Sequence, residues 1–188
     1  MRFALDVLLI VVGTASGVVA GWKLRGHRHA NGNGVPGSRR ILLPFTGTSI
    51  SRRALEAAMR LANAEGAVIM PAYLACVPRT LPLNAALPQQ SATAMPMLEA
   101  IEQRAAAAGL AVDARIVRGR TYRDALRHVI DEEPVDRIIV SATDNPRMGL
   151  SGEDFQWLLR KAPAEVMILR PGPEDHRAVT AASVEGHF

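Results

Sequence analysis

Three carboxylates, Asp144, Glu153 and Asp154, lie within eleven residues of one another, and such a group can hold Mg²⁺ or perform acid–base chemistry. Each also has a simpler role. Ser151-x-x-Asp154 has the spacing of a capping box with a short acidic partner, and acidic residues in a first helical turn complement the helix dipole without any catalysis. Ser151 is not placed as a nucleophile, because Gly149-Leu150-Ser151-Gly152 lacks the Gly-x-Ser-x-Gly elbow. His128, between Arg127 and Val129 on an expected helix, reads as a surface or capping residue rather than a base. His27 and His29 belong to a basic stretch that offers no further metal ligands. Cys76, the single cysteine, excludes an intrachain disulfide and reads as a small buried hydrophobe. Gly32-x-Gly34-x-x-Gly37 has dinucleotide-fingerprint spacing, but it precedes a strand instead of joining a strand to a helix, so the match is accidental. No catalytic constellation and no metal site emerge, and the chain is expected not to be an enzyme.

The elements that must position any site alternate regularly. Ile41-Leu42-Leu43-Pro44-Phe45 reads as a strand ending in the turn Thr46-Gly47-Thr48-Ser49, and Ala54, Leu55, Ala58, Met59, Leu61 and Ala62 recur at helical spacing until Gly66. A second strand over Val68–Val77 is expected to be interrupted by Pro71. The stretch from Arg79 to Pro96, rich in proline, reads as an irregular loop. A helix over Met97–Ala108, a strand over Ala111–Val117 and a Thr121-capped helix to about Glu133 follow. Arg137–Val140 reads as a buried central strand, Ser151 opens the last helix, and Glu165–Leu169 closes the domain. Five strands alternating with four helices imply an α/β fold: a doubly wound, Rossmann-like parallel sheet with helices on both faces.

Residues 3–22 form an almost unbroken apolar run followed by Lys23, Arg25, His27, Arg28 and His29. Twenty residues at about 1.5 Å each span about 30 Å, the thickness of a bilayer core. The expectation is one transmembrane helix with a basic flank over residues 1–29, contacting membrane lipid and holding the C-terminal domain on the cytoplasmic side of the inner membrane. The alternative is a signal peptide cleaved after Val18-Val19-Ala20, giving a secreted protein, although most of the positive charge follows the apolar run instead of preceding it. A Gly/Asn-rich linker over 30–38, an α/β domain over 39–171 and a disordered tail over 172–188 complete the division. The formal charge of +4 draws on the juxtamembrane residues, where anionic lipid is the economical partner. With four Phe, two Tyr and two Trp there is little material for base stacking, and nucleic acid is not an expected partner.

Over residues 39–171 the chain resembles the universal stress protein family. Arg39-Arg40-Ile41-Leu42-Leu43-Pro44-Phe45-Thr46-Gly47-Thr48 is similar to the family's first strand and turn, Arg118-Gly119 matches the approach to the third helix, and Leu158 to Leu169 resembles the last helix and strand. The resemblance implies strand order 3-2-1-4-5, a homodimer through the last strand, Glu165 to Leu169, and, in one branch, ATP at the ends of the first and fourth strands. On that model Thr46, Gly47, Thr48, Ser141, Thr143, Asp144 and Gly152 are the candidate nucleotide-pocket residues. The ATP-binding branch has Gly-x-x-Gly, nine residues, then Gly followed by Ser or Thr. Here Ser141 and Asp144 fill the first two glycine positions, only seven residues precede Gly152, Glu153 replaces the hydroxyl residue, and Thr46 replaces an Asp. The first expectation is therefore a membrane-tethered, non-catalytic regulatory or adaptor module in stress response, with no bound cofactor. The alternative is an ATP- or AMP-binding sensor with a modified pocket, with or without Mg²⁺.

Overall fold

The computed structural model describes residues 38–48, 50–142 and 150–170. Its five parallel strands are β1 (Arg40–Phe45), β2 (Val68–Cys76), β3 (Arg115–Gly119), β4 (Arg137–Ser141) and β5 (Glu165–Leu169), and its four helices are α1 (Arg52–Glu65), α2 (Pro88–Ala107), α3 (Tyr122–Glu132) and α4 (Gly152–Lys161). The strands are parallel, as the alternation leads one to expect, and lie in the order β3-β2-β1-β4-β5 that the resemblance implies. Leu42, Ile69, Met70, Ile138 and Ile139 are fully buried, because the central strands of such a sheet have a helix layer on each side. Ile41, Leu43 and Ile69 pack with α1 and α2, while Leu42, Met70, Ile138 and Val140 pack with α3 and α4.

Helix starts follow local chemistry. The hydroxyls of Ser51, Thr121 and Ser151 accept from the N–H groups of Ala54, Asp124 and Asp154, each satisfying a donor that has no partner within its helix. Only Ser151 completes the reciprocal box; the Asp124 carboxylate takes the N–H of Arg120 instead, at 2.9 Å. Gly66 ends α1 at φ 62, a left-handed position that glycine occupies without steric cost. Gly119 is required for a different reason. A Cβ there would lie 2.2 Å from the backbone nitrogen of Ala125, so the close approach of α3 to the end of β3 depends on its absence.

Three details depart from the sequence-based expectations. β2 runs through Pro71 without a break. Alternate residues of a parallel strand bond to opposite neighbours; Val68 N–H donates to Arg39 O on the β1 side, whereas Ile69 donates to Ala111 O and accepts from Asp113 N–H on the β3 side. Pro71 shares the parity of Ile69, so its missing N–H faces the gap between the isolated Ile69–Val112 bridge and the β3 ladder, which starts at Ala72 and Arg115. The same gap makes β3 start at Arg115 rather than Ala111. The third departure is α2, which begins at Pro88 within the stretch expected to be loop. Pro88 is at a helix start, where its lack of an N–H costs nothing, and Pro96 lies inside the helix with both it and Ala92 exposed, so water can reach the carbonyl that Pro96 leaves unbonded.

Charged residues pair across the amino ends of the strands. Arg40 meets Glu133 at 2.6 Å, Arg115 meets the buried Asp113 at 2.9 Å, and Arg137 bridges Glu65 and Glu165. Among the described residues no helix is long and apolar enough to cross a membrane. The apolar run at 3–22, its basic flank, the linker to residue 37 and the tail from Pro171 lie outside the described residues.

Candidate functional site

At the carboxyl end of the sheet the chain leaves β1 in one direction and β4 in the other, which opens a crevice where open α/β sheets bind ligands. The β1–β4 register, Ile41 with Arg137 and Leu42 with Ile138, carried forward brings Phe45 level with Ser141. Thr46 and Ser141, both half-buried, therefore share one rim. Gly47 takes the chain out of the ladder at φ 69, a conformation that L side chains resist, and leaves Thr48 exposed. Gly152 opens α4, and a Cβ on it would meet nothing within 4 Å, so the space before this backbone is free. Thr143 and Asp144 lie outside the described residues. Thr46, Gly47 and Ser141 are thus brought to one rim by register, with Gly152 at the head of the helix that follows β4.

Several groups considered for chemistry are engaged elsewhere. The Asp154 carboxylate accepts from the N–H and hydroxyl of Ser151, both at 2.8 Å, and from Arg123 Nε at 2.7 Å. Burial alone would raise its pKa, but these donors outweigh burial and hold it below the usual carboxylate range. Glu153 projects into solvent and meets Arg123 at 3.5 Å, so part of its charge is compensated away from the rim. His128 Nδ1 lies 3.1 Å from the Arg118 carbonyl, as a surface residue tying α3 to β3. Among the described residues, no group of three or more His, Cys, Asp and Glu could hold a metal ion. Cys76 is only half-buried, not fully buried as expected, and burial still pushes its thiol pKa up.

Two residues that sequence reasoning passed over hold the carboxyl end of β2 and the segment after it. Gln90, in the first turn of α2, accepts from Cys76 N–H through Oε1 at 3.0 Å and donates to Cys76 O through Nε2 at 2.8 Å. Arg120 donates to the carbonyls of Pro78 at 2.6 Å and Leu81 at 2.8 Å, holding the segment after β2 in place. Neither residue has a motif to mark it; each is defined by the backbone it meets.

The universal stress protein family model matches residues 37–170. The chain belongs to the universal stress protein family. Among solved structures, a universal stress protein in complex with cAMP is 24% identical with TM-score 0.53, over 72% of this chain and 98% of that one. A universal stress protein from Arabidopsis thaliana with AMP bound is 16% identical with TM-score 0.53, over 72% and 94%. UspA from Lactobacillus plantarum is 19% identical with TM-score 0.51, over 70% and 97%. At these identities the likeness is one of fold. No curated protein matches the sequence.

Proposed function

We propose that this universal stress protein acts by binding, as a regulatory or adaptor module with no catalytic step, and that it takes an adenine nucleotide with a short phosphate, AMP rather than ATP, in the crevice between β1 and β4. The rim that Thr46, Gly47 and Ser141 share by register, together with the uncovered backbone of Gly152 at the start of α4, carries this reading. The complexes of fold relatives with cAMP and AMP support it. Against ATP stand, in the sequence, the shortened segment before Gly152, Ser141 in place of a glycine, and the acidic Asp144 and Glu153 at motif positions where the ATP-binding branch has a glycine and a hydroxyl residue. The engagement of Asp154 and His128 in local structure supports the absence of chemistry. The module is further proposed to be tethered by residues 3–22 to the inner membrane with its domain in the cytoplasm, and to form a homodimer along β5.

Thermal-shift and calorimetric titration of the full-length protein with AMP, cAMP and ATP, with and without Mg²⁺, tests the ligand. A ligand at 100 times its Kd stabilises by about 2.7 kcal/mol. AMP or cAMP should give a saturable shift and ATP a smaller one; no shift with any of them at millimolar concentration refutes nucleotide binding, and a Mg²⁺-dependent preference for ATP replaces AMP with a triphosphate.

A further inference from the structure

The bond pattern of β2 predicts where its last backbone groups point. Residues with the parity of Val68 bond toward β1 and those with the parity of Ile69 bond toward β3, a rule that still holds at Val77, whose N–H donates to Gly119 O at 2.8 Å. Cys76 has the parity of Val68. Its N–H and C=O therefore point to the β1 side, but the β1–β2 ladder ends at Phe45 and Tyr73. In an unbroken ladder Cys76 N–H would meet the carbonyl of Gly47, and Gly47 has turned out of the sheet at φ 69. One donor and one acceptor are left side by side, facing the same carboxyl-end crevice that Thr46 and Ser141 border.

Gln90 fills that vacancy with both halves of its side-chain amide, reproducing the rung that β1 no longer supplies. A neutral side chain half in contact with solvent holds this place, and a ligand with the same pattern, an acceptor beside a donor on one planar edge, meets the identical pair of backbone groups. The adenine base has that pattern in its ring nitrogen and amino group; hypoxanthine has it reversed. We infer that Gln90 is a built-in occupant of the β2 edge, which an adenine-type ligand must displace, so that the Cys76 backbone pair sets the preference for the adenine edge and Gln90 sets the affinity with which that edge is bound. The inference rests on the nucleotide reading above. Displacement exchanges two neutral hydrogen bonds for two others, so the occupant acts as a threshold and not as a block.

The test compares the full-length wild type with Gln90→Ala and with Gln90→Met, which keeps the unbranched length and the helix propensity while removing both polar atoms. AMP and inosine monophosphate are titrated calorimetrically, and the amide exchange of Cys76 is followed by selective cysteine labelling, which reports a single site because the chain has one cysteine. Both variants should bind AMP about tenfold more tightly than wild type, the loss of competition from two modest neutral bonds, with inosine monophosphate binding unchanged. Cys76 should lose protection in the variants and regain it with AMP. Equal AMP affinity in all three proteins, with Cys76 protection unaltered by AMP, overturns the role of Gln90 alone. Loss of protection in the variants without nucleotide binding to any of the three overturns the nucleotide reading together with this one.

Discussion

Asp154 shows how one carboxylate can look like a catalytic group and serve the fold. Its partners are the N–H and hydroxyl of its own helix cap and the guanidinium of Arg123 on α3, so it ties the start of α4 to its neighbour. Its folded pKa lies below the ordinary value, which fixes the sign of its pH dependence. The stabilisation is complete above the unfolded carboxyl pKa of about 3.9 and is lost as pH falls through the lower folded value. Asp154→Asn should therefore cost about 1–3 kcal/mol at neutral pH and flatten the acid limb of the stability profile. Denaturant melts of the two proteins from neutral pH down to about pH 3 measure it. A variant with an unchanged acid limb would show that Asp154 carries none of this stability. The Ser151-x-x-Asp154 spacing made this role legible in the sequence, because a capping box is a local pattern. Arg123 and Gln90 were not legible, since their partners lie 31 and 14 residues away and no spacing rule connects them.

At the scale of elements, the open edge of β5 can be read from its hydrogen bonds. Glu165 N–H donates to Asp136 O, and Leu169 O accepts from Ala142 N–H, so Glu165, Met167 and Leu169 bond inward to β4. Val166 and Ile168 then direct their N–H and C=O groups to the open edge, and Ile168 is also an exposed large hydrophobe at this edge. An edge of this kind pairs with a second strand unless it is blocked. If the proposed homodimer pairs along this edge, Ile168→Pro should remove one outward donor, leave the β4–β5 ladder whole and give a monomer mass by light scattering where the wild type gives a dimer mass. Met167→Pro should instead damage the sheet itself and lower thermal stability, because the donor it removes is an inward one. A dimer mass unchanged by Ile168→Pro would place the interface elsewhere. The identity of the strands was legible because their apolar runs alternate with helical periods, and their order because the chain resembles the universal stress protein family. The continuity of β2 and the early start of α2 were not. Proline signals interruption from sequence alone, yet Pro71 falls at a gap in the ladder and Pro88 at a helix start, and both circumstances belong to the tertiary structure.

For the whole molecule, the decisive question is what the apolar run at residues 3–22 adds to the domain. The run lies outside the described residues; it is long enough to span a bilayer core, and Lys23, Arg25 and Arg28 follow it directly. Positive charge flanking a span is retained on the cytoplasmic side, which would place the universal stress protein domain there. The full-length protein should sediment with membranes, resist extraction by high salt and dissolve in detergent, and its domain should be cleaved by protease only after the cytoplasmic face is opened. Replacing Lys23, Arg25 and Arg28 together by Glu should weaken or invert that orientation, exposing the domain to protease added from the opposite side. A mature chain beginning near Gly21 in a secreted fraction would instead identify the run as a cleaved signal and remove the tether. The distinction has consequences for the binding reaction as well. A tethered domain that dimerises along β5 is confined to a surface, so its effective concentration is set by the membrane and a weak edge contact suffices for pairing. A released domain would have to dimerise from solution, and Ile168→Pro would then shift the dilution profile at far higher protein concentrations.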